Sequence, residues 1–140
     1  MTGYTISTEK SRLNIDVIHS FLTNSYWAKG IPKETIERCI QHSLCFGVYT
    51  GQEQVGFARV TTDYTTFAYL ADVFILVDHR GKGLSKLLMK EIIAHPQLQG
   101  LRRFVLATRD AHGLYKQFGF KEIAHPDRWM EIHDPLVYQR

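Results

Sequence analysis

Arg80-Gly81-Lys82-Gly83-Leu84-Ser85 places two cations and two residues without a Cβ in six consecutive positions. Such a run can turn backbone N–H groups inward around an anion, and a helix that starts within it adds the positive end of its dipole. A pyrophosphate is the ligand this chemistry fits. The two common nucleotide fingerprints are absent. Lys86 stands where a dinucleotide-binding turn needs its third glycine, and no glycine pair five apart precedes a Lys-Ser or Lys-Thr. The plainer alternative is an ordinary strand-to-helix turn with solvated Arg80 and Lys82.

Asp72 is the second chemically loaded residue, because it interrupts an apolar, β-branched run. An unpaired carboxylate there is costly, so Asp72 has either a structural partner or a role as a general base or ligand-recognition group. Asp63, Tyr69 and a water relay are other candidates for a base. The adjacent aromatics Tyr26 and Trp27 either pin a loop to the core or wall a binding pocket. Cys39 and Cys45 lack CxxC spacing and read as small, reduced apolar residues. The seven histidines show no metal-ligand pairing, so no metal is expected.

These residues need elements to hold them. Phe67 to Val77 is aromatic and β-branched, as a buried strand requires. Leu84, Leu87, Leu88 and Ile92 recur at helical spacing until His95-Pro96 ends the pattern. The cation-glycine run therefore sits between a strand and a helix. Upstream, Tyr4 to Ser7 predicts a short strand, Ile15, Ile18, Phe21 and Leu22 one face of a first helix, and Ile36, Cys39 and Ile40 the stripe of a second helix opened by Pro32. Leu44 to Tyr49 and Gln54 to Thr62 form a hairpin around Thr50-Gly51-Gln52-Glu53, so the middle of the chain is an antiparallel meander. Downstream, Phe104 to Ala107 predicts a buried, parallel strand. A short helix follows from Ala111 to Phe118, capped by Asp110 at its start and Gly119 at its end. Lys121 to Ile123 and Trp129 to His133 predict a final hairpin.

At 140 residues the chain fits one domain, 1–140. Its 44% hydrophobic and 22% charged residues are ordinary for a globular protein, and a spread net charge of +3 suits a small polyanion better than nucleic acid. No leader pattern opens the chain, and no run approaches the about 18 apolar residues of a membrane span, so a cytoplasmic protein is expected.

The run from Arg80 resembles the acyl-CoA cradle of the GNAT superfamily of N-acetyltransferases, whose signature is Arg or Gln, two variable residues, Gly, one variable residue, then Gly or Ala. Arg80 and Gly83 match it, and Ser85 takes the final small position. Leu114-Tyr115-Lys116-Gln117-Phe118-Gly119-Phe120 resembles that family's second motif, in the right order and separation. The resemblance implies a mixed, mostly antiparallel α/β fold flanked by helices, with a splayed strand. It implies acetyl-CoA as donor and direct transfer to a primary amine of a small molecule or peptide in a ternary complex. Phe74 and Ile75 would be main-chain contacts for the pantetheine arm, and Arg80, Gly81, Lys82, Gly83, Leu84 and Ser85 would hold the pyrophosphate. Tyr115 would stand near the thioester sulfur and protonate the leaving thiolate. Tyr26, Trp27 and Tyr69 would line the acceptor side. Arg109-Asp110 replaces an asparagine-containing segment common in the family. A symmetric dimer is the default for a small enzyme. The different-class alternative is a catalytically silent acyl-CoA sensor or interaction module.

Overall fold

The computed structural model describes residues 3–140. A five-stranded sheet runs in chain order: β1 (Thr5–Ser7), β2 (Leu44–Thr50), β3 (Glu53–Thr62), β4 (Phe67–Ile75) and β5 (Arg103–Leu106). The first four strands are antiparallel neighbours, and β5 joins β4 in parallel. Helices α1 (Ile15–Leu22), α2 (Lys33–Gln41), α3 (Leu84–Ala94) and the single turn α4 (His112–Lys116) complete the chain. This is the mixed, mostly antiparallel sheet flanked by helices that the sequence predicts.

Each face of the sheet buries its own core. On one face, Phe46, Val48, Val55, Ala58, Val60, Ala68 and Leu70 pack against Leu84, Leu88, Met89 and Ile92 of α3. The spacing of those four residues is what gives α3 a single apolar stripe. On the other face, Cys45, Phe57 and Phe74 meet Ile18 and Leu22 of α1 and Ile36 and Ile40 of α2. Because both faces are covered, β2 is buried from Leu44 to Tyr49 and reads as a continuous apolar run. Each fully buried Leu or Ile contributes about 1.5–3 kcal/mol, so these two layers fix where β4 lies.

Three expectations are corrected. Strand β4 stops at Ile75, and Val77 begins a 3-10 turn with its side chain exposed, since neither core reaches that far. Asp110 does not cap α4. The helix starts at His112 with Ala111 as an N-cap that no side chain satisfies, and the Ala111 N–H itself donates to the Thr108 hydroxyl at 3.1 Å. The final hairpin does not form: Lys121–Ile123 and Trp129–His133 belong to no strand. Pro126 opens a 3-10 turn between them, and two short strands with no third partner are marginal in water.

Candidate active site

The site is built on a defect in β4. Phe57 faces Phe74 and Arg59 faces Ala71, so Asp72 and Val73 together oppose Ala58. Two residues against one is a β-bulge, and Asp72 adopts φ 56°, a left-handed conformation that Asp tolerates better than most residues. The bulge reverses which residues face α1 and α2: Tyr69 and Ala71 before it, Phe74 after it. Pairing with β5 ends at Leu70, so from Ala71 to Ile75 the β5-facing edge of β4 is open. That opening is the splay. Phe74 and Ile75 are themselves buried, which leaves their main chain as the part presented to a ligand.

The Asp72 side chain, only 8% exposed, is held on both oxygens. Arg59 Nε donates to Oδ2 at 2.8 Å and Trp27 Nε1 donates to Oδ1 at 2.7 Å. Arg59 also donates to the hydroxyls of Ser43 and Thr61, each at 3.1 Å. The partner that an apolar strand demands for Asp72 is thus a network spanning the turn before β2, β3 and the α1–α2 loop. Phe21 stacks on Phe74 at 4.1 Å between ring centres and 10° between planes, a second tie of α1 to the bulge.

At the end of β4 the chain turns through Arg80–Gly83 into α3. Gly81 and Gly83 both sit at φ 77°, which a Cβ would strain, and Gly83 is the N-cap of α3 with no side chain capping it. Leu87 N–H is the first to bond back, to Gly83 O at 3.1 Å. The preceding N–H groups of the first turn therefore have no helical acceptor and face outward as donors. Arg80 is not free beside them: its Nε donates to Ile75 O at 2.8 Å and closes the turn on the end of β4. Lys82 reaches the other way, donating to the Tyr4 hydroxyl at 3.2 Å, while Tyr4 also bonds His79 Nδ1 at 2.9 Å. Arg80, Gly81, Gly83, Leu84 and Ser85 line one cavity of about 380 Å³ with Ile75 and Leu114 of α4. An uncapped helix start, two left-handed glycines and a cavity of this size fit a pyrophosphate.

Tyr115 of α4 is buried to 9% exposure within the first core. Burial pushes its hydroxyl above the ordinary tyrosine range, and the nearby Tyr26 phenol adds to the shift. The proton-carrying form is therefore favoured. Tyr26 lies under the Arg109 guanidinium at 3.8 Å and makes an edge contact with Trp27 at 5.1 Å. Tyr115, Tyr26, Trp27 and Asp72 are linked in this way into one neighbourhood beside the splay. Tyr69 lies on β4 just before it, half exposed and opposite Thr61 and Val105. Tyr26, Trp27, Phe21 and Leu76 line a further cleft of about 740 Å³ along α1.

Other candidates are committed elsewhere. Asp63 accepts from the N–H groups of Thr65, Thr66 and Phe67 and from the Thr66 hydroxyl, which holds its carboxyl far below the usual range and makes it a loop clasp. Burial pushes the Cys45 thiol up to about 12 and raises Cys39 as well, so neither is a nucleophile at neutral pH. Among the described residues, no three His, Cys, Asp or Glu side chains are grouped to hold a metal, and no helix is long and apolar enough to cross a membrane. Sequence reasoning missed Arg59 as the partner of Asp72 and Tyr4 and His79 as supports of the turn. Arg59 did carry a signal: a cation between the apolar residues Ala58 and Val60.

Residues 14–120 match the model of the Acetyltransferase (GNAT) family. A protein of Gibberella zeae named as an acetyltransferase is 34% identical over 158 residues, which is 96% of this chain and 88% of that one. A structure from Xanthomonas campestris pv. campestris, assigned as a GNAT-family acetyltransferase, superposes with a TM-score of 0.97 at 52% identity, covering 100% of this chain and 99% of its own. A GNAT family acetyltransferase from Elizabethkingia anophelis, solved with acetyl-CoA bound, is 15% identical and shares the fold, with a TM-score of 0.67 over 96% of this chain and 90% of that one. The mixed, mostly antiparallel sheet flanked by helices is thus shared architecture, and this chain belongs to the GNAT family of acetyltransferases.

Proposed function

We propose that this acetyltransferase takes acetyl-CoA as donor and delivers the acetyl group to a primary amine by direct attack in a ternary complex. The observation that carries the reading is the open edge of β4 from Ala71 to Ile75, running from beside Tyr115 to the uncapped start of α3. When bound, acetyl-CoA supplies an activated thioester.

The chain's own groups have separate tasks. The free N–H groups of Leu84, Ser85 and Lys86 and the left-handed glycines 81 and 83 hold the pyrophosphate, with Lys82 adding charge. Arg80 acts by keeping the turn closed on Ile75. Backbone N–H groups on the open edge of β4, at Phe74 and Ile75, pair with the pantetheine arm, and one near the bulge donates to the carbonyl oxygen that gains charge during transfer. Tyr115 gives its proton to the departing sulfur. Phenol and thiol differ by only about 1.5 pK units in water, so the benefit is modest, and burial of Tyr115 keeps the proton in place until it is needed.

Asp72 spends both oxygens on Arg59 and Trp27, so it serves as a positioning residue. It fixes the bulge and the acceptor wall formed by Trp27, Tyr26 and Tyr69. The amine's proton leaves through water in the open cleft. The mix of aromatic rings with Arg109 suits an acceptor that carries an aromatic or anionic group beside its amine.

Calorimetric titration with acetyl-CoA, followed by thiol release over a panel of amines, tests this reading. One-to-one saturable binding and amine-dependent release are expected. A well-folded protein that fails to bind acetyl-CoA would overturn it.

A further inference from the structure

Among the residues lining the cavity of about 380 Å³ at the start of α3 is one imidazole, His79, which the donor chemistry leaves without a task. Its side chain is 20% exposed. Its backbone is pinned, since His79 N–H donates to Leu76 O at 2.9 Å within the 3-10 turn. Its ring is pinned as well. Tyr4, 75 residues away in sequence, meets it edge-on, with ring centres 5.9 Å apart and planes at 84°.

The direction of the hydrogen bonds follows from which groups can only donate. An ammonium has no lone pair, so the Tyr4 oxygen accepts from Lys82 at 3.2 Å. The hydroxyl's own proton is then free for His79 Nδ1 at 2.9 Å. Neutral His79 carries its proton on Nε2, which lies 3.9 Å from a Glu53 carboxylate oxygen. Lys82, Tyr4, His79 and Glu53 thus form one directed chain, from the turn through the residue before β1 to the start of β3. That chain holds only while Nδ1 accepts. A proton placed on Nδ1 makes the imidazole a second cation on a phenol oxygen that already holds Lys82. The other charges around it are Arg80, whose Nε is committed to Ile75 O, Lys86 in the cavity lining, and Asp78 on the same turn.

We propose that His79 is a donor-binding residue that takes up a proton from solvent as acetyl-CoA binds, with Tyr4 as the residue that positions it. The inference rests on the reading of this cavity as the pyrophosphate site. An anion beside an imidazole favours its charged form, and imidazole changes charge between about pH 5 and 8. As phosphate oxygens arrive, Lys82 turns from the Tyr4 oxygen to them. The freed Tyr4 oxygen then accepts from the newly protonated Nδ1, and His79 adds a positive charge to the cradle. By linkage, donor affinity rises as pH falls through the imidazole range. The attacking amine needs the opposite, since it must lose a proton. Donor capture and acceptor attack therefore respond to pH with opposite signs, and at saturating donor the rate follows the amine alone.

Calorimetric titration with acetyl-CoA at one pH, in buffers of different ionisation enthalpy, counts the protons taken up. The donor's own phosphate monoester titrates at about pH 6, so the informative quantity is the difference between wild type and His79→Asn. The asparagine oxygen can still accept from Tyr4 but cannot gain a proton. Wild type is expected to take up about half a proton more than this variant at about pH 7. It is also expected to bind about tenfold tighter at about pH 6, the two converging above about pH 8.5. Tyr4→Phe keeps the imidazole but removes its partner in both protonation states, so the proton count should fall toward that of His79→Asn with affinity above about pH 8.5 nearly unchanged. Equal proton counts in wild type and His79→Asn, with acetyl-CoA still bound, overturn this proposal and leave the donor site standing. A full count in Tyr4→Phe overturns the role of Tyr4. A folded wild type that does not bind acetyl-CoA overturns the donor reading itself, and this proposal with it.

Discussion

The proposed donor side and the proposed acceptor side of this site are assembled in opposite ways. The cradle is made of neighbours in sequence: Ile75, Arg80, Gly81, Gly83 and the first turn of α3 lie within one short stretch. The acceptor wall is made of strangers, with Trp27 and Asp72 45 residues apart and Arg59 reaching Asp72 across a bulge. A local device depends on backbone conformation and tolerates changes elsewhere. A distributed one depends on a few side chains that no local rule specifies, so damage to one of them spreads.

The largest effect is therefore expected on the distributed side. Asp72→Ala leaves the mostly buried Arg59 guanidinium without its carboxylate and should cost about 3 kcal/mol of stability, read from denaturant unfolding. Adding Arg59→Leu should recover part of that loss, and failure to recover would show that Asp72 acts alone. On the local side, Gly83→Val puts a β-branched residue at φ 77°, a strain of about 1–3 kcal/mol that the turn must relieve by moving. Acetyl-CoA affinity should fall about 10- to 100-fold in calorimetry with the core intact. Unchanged affinity would show that this turn does not hold the donor.

Tyr115→Phe should lower kcat about tenfold, or ~1.4 kcal/mol, and leave the acetyl-CoA Kd unchanged. Because the Tyr115 hydroxyl titrates above its ordinary value of about 10, its donor form persists through neutral and mildly alkaline pH and is lost only as pH rises through that raised value. The wild-type rate should thus climb with pH as the amine deprotonates, with no alkaline decline below about pH 10. The variant should keep the climb at a lower plateau. The smallest effect belongs to Arg109→Ala, which removes a cation from the exposed face of Tyr26 and should change the acceptor KM by about 0.5–1 kcal/mol, with kcat nearly constant.

The same contrast explains what could be read before folding. The glycine turn, α3 and the meander were legible because glycine placement and apolar spacing are local signals. The neighbour order of β2, β3 and β4 followed from their short connections. Asp72 was legible only as a demand for a partner, since its neighbours depend on the bulge between Phe57 and Arg59, which periodicity does not mark. Asp110 misses the cap of α4 because the helix starts one residue later, with Ala111 as its uncapped N-cap. The tail shows alternation at its most deceptive. Trp129–His133 has the pattern of a strand, but the pattern says nothing of whether an edge is within reach.

Trp27 donates to the same carboxylate that stabilises the left-handed kink at Asp72, and that kink sets where the open edge of β4 begins. Anything that shifts the indole is therefore felt at the edge proposed for the donor, and filling that edge is felt at the indole. By reciprocity, the two ligands must alter each other's affinity by one common factor. Acceptor titrations with and without bound donor would measure that factor, and Trp27→Phe, which keeps the ring but lacks the N–H, should bring it toward unity.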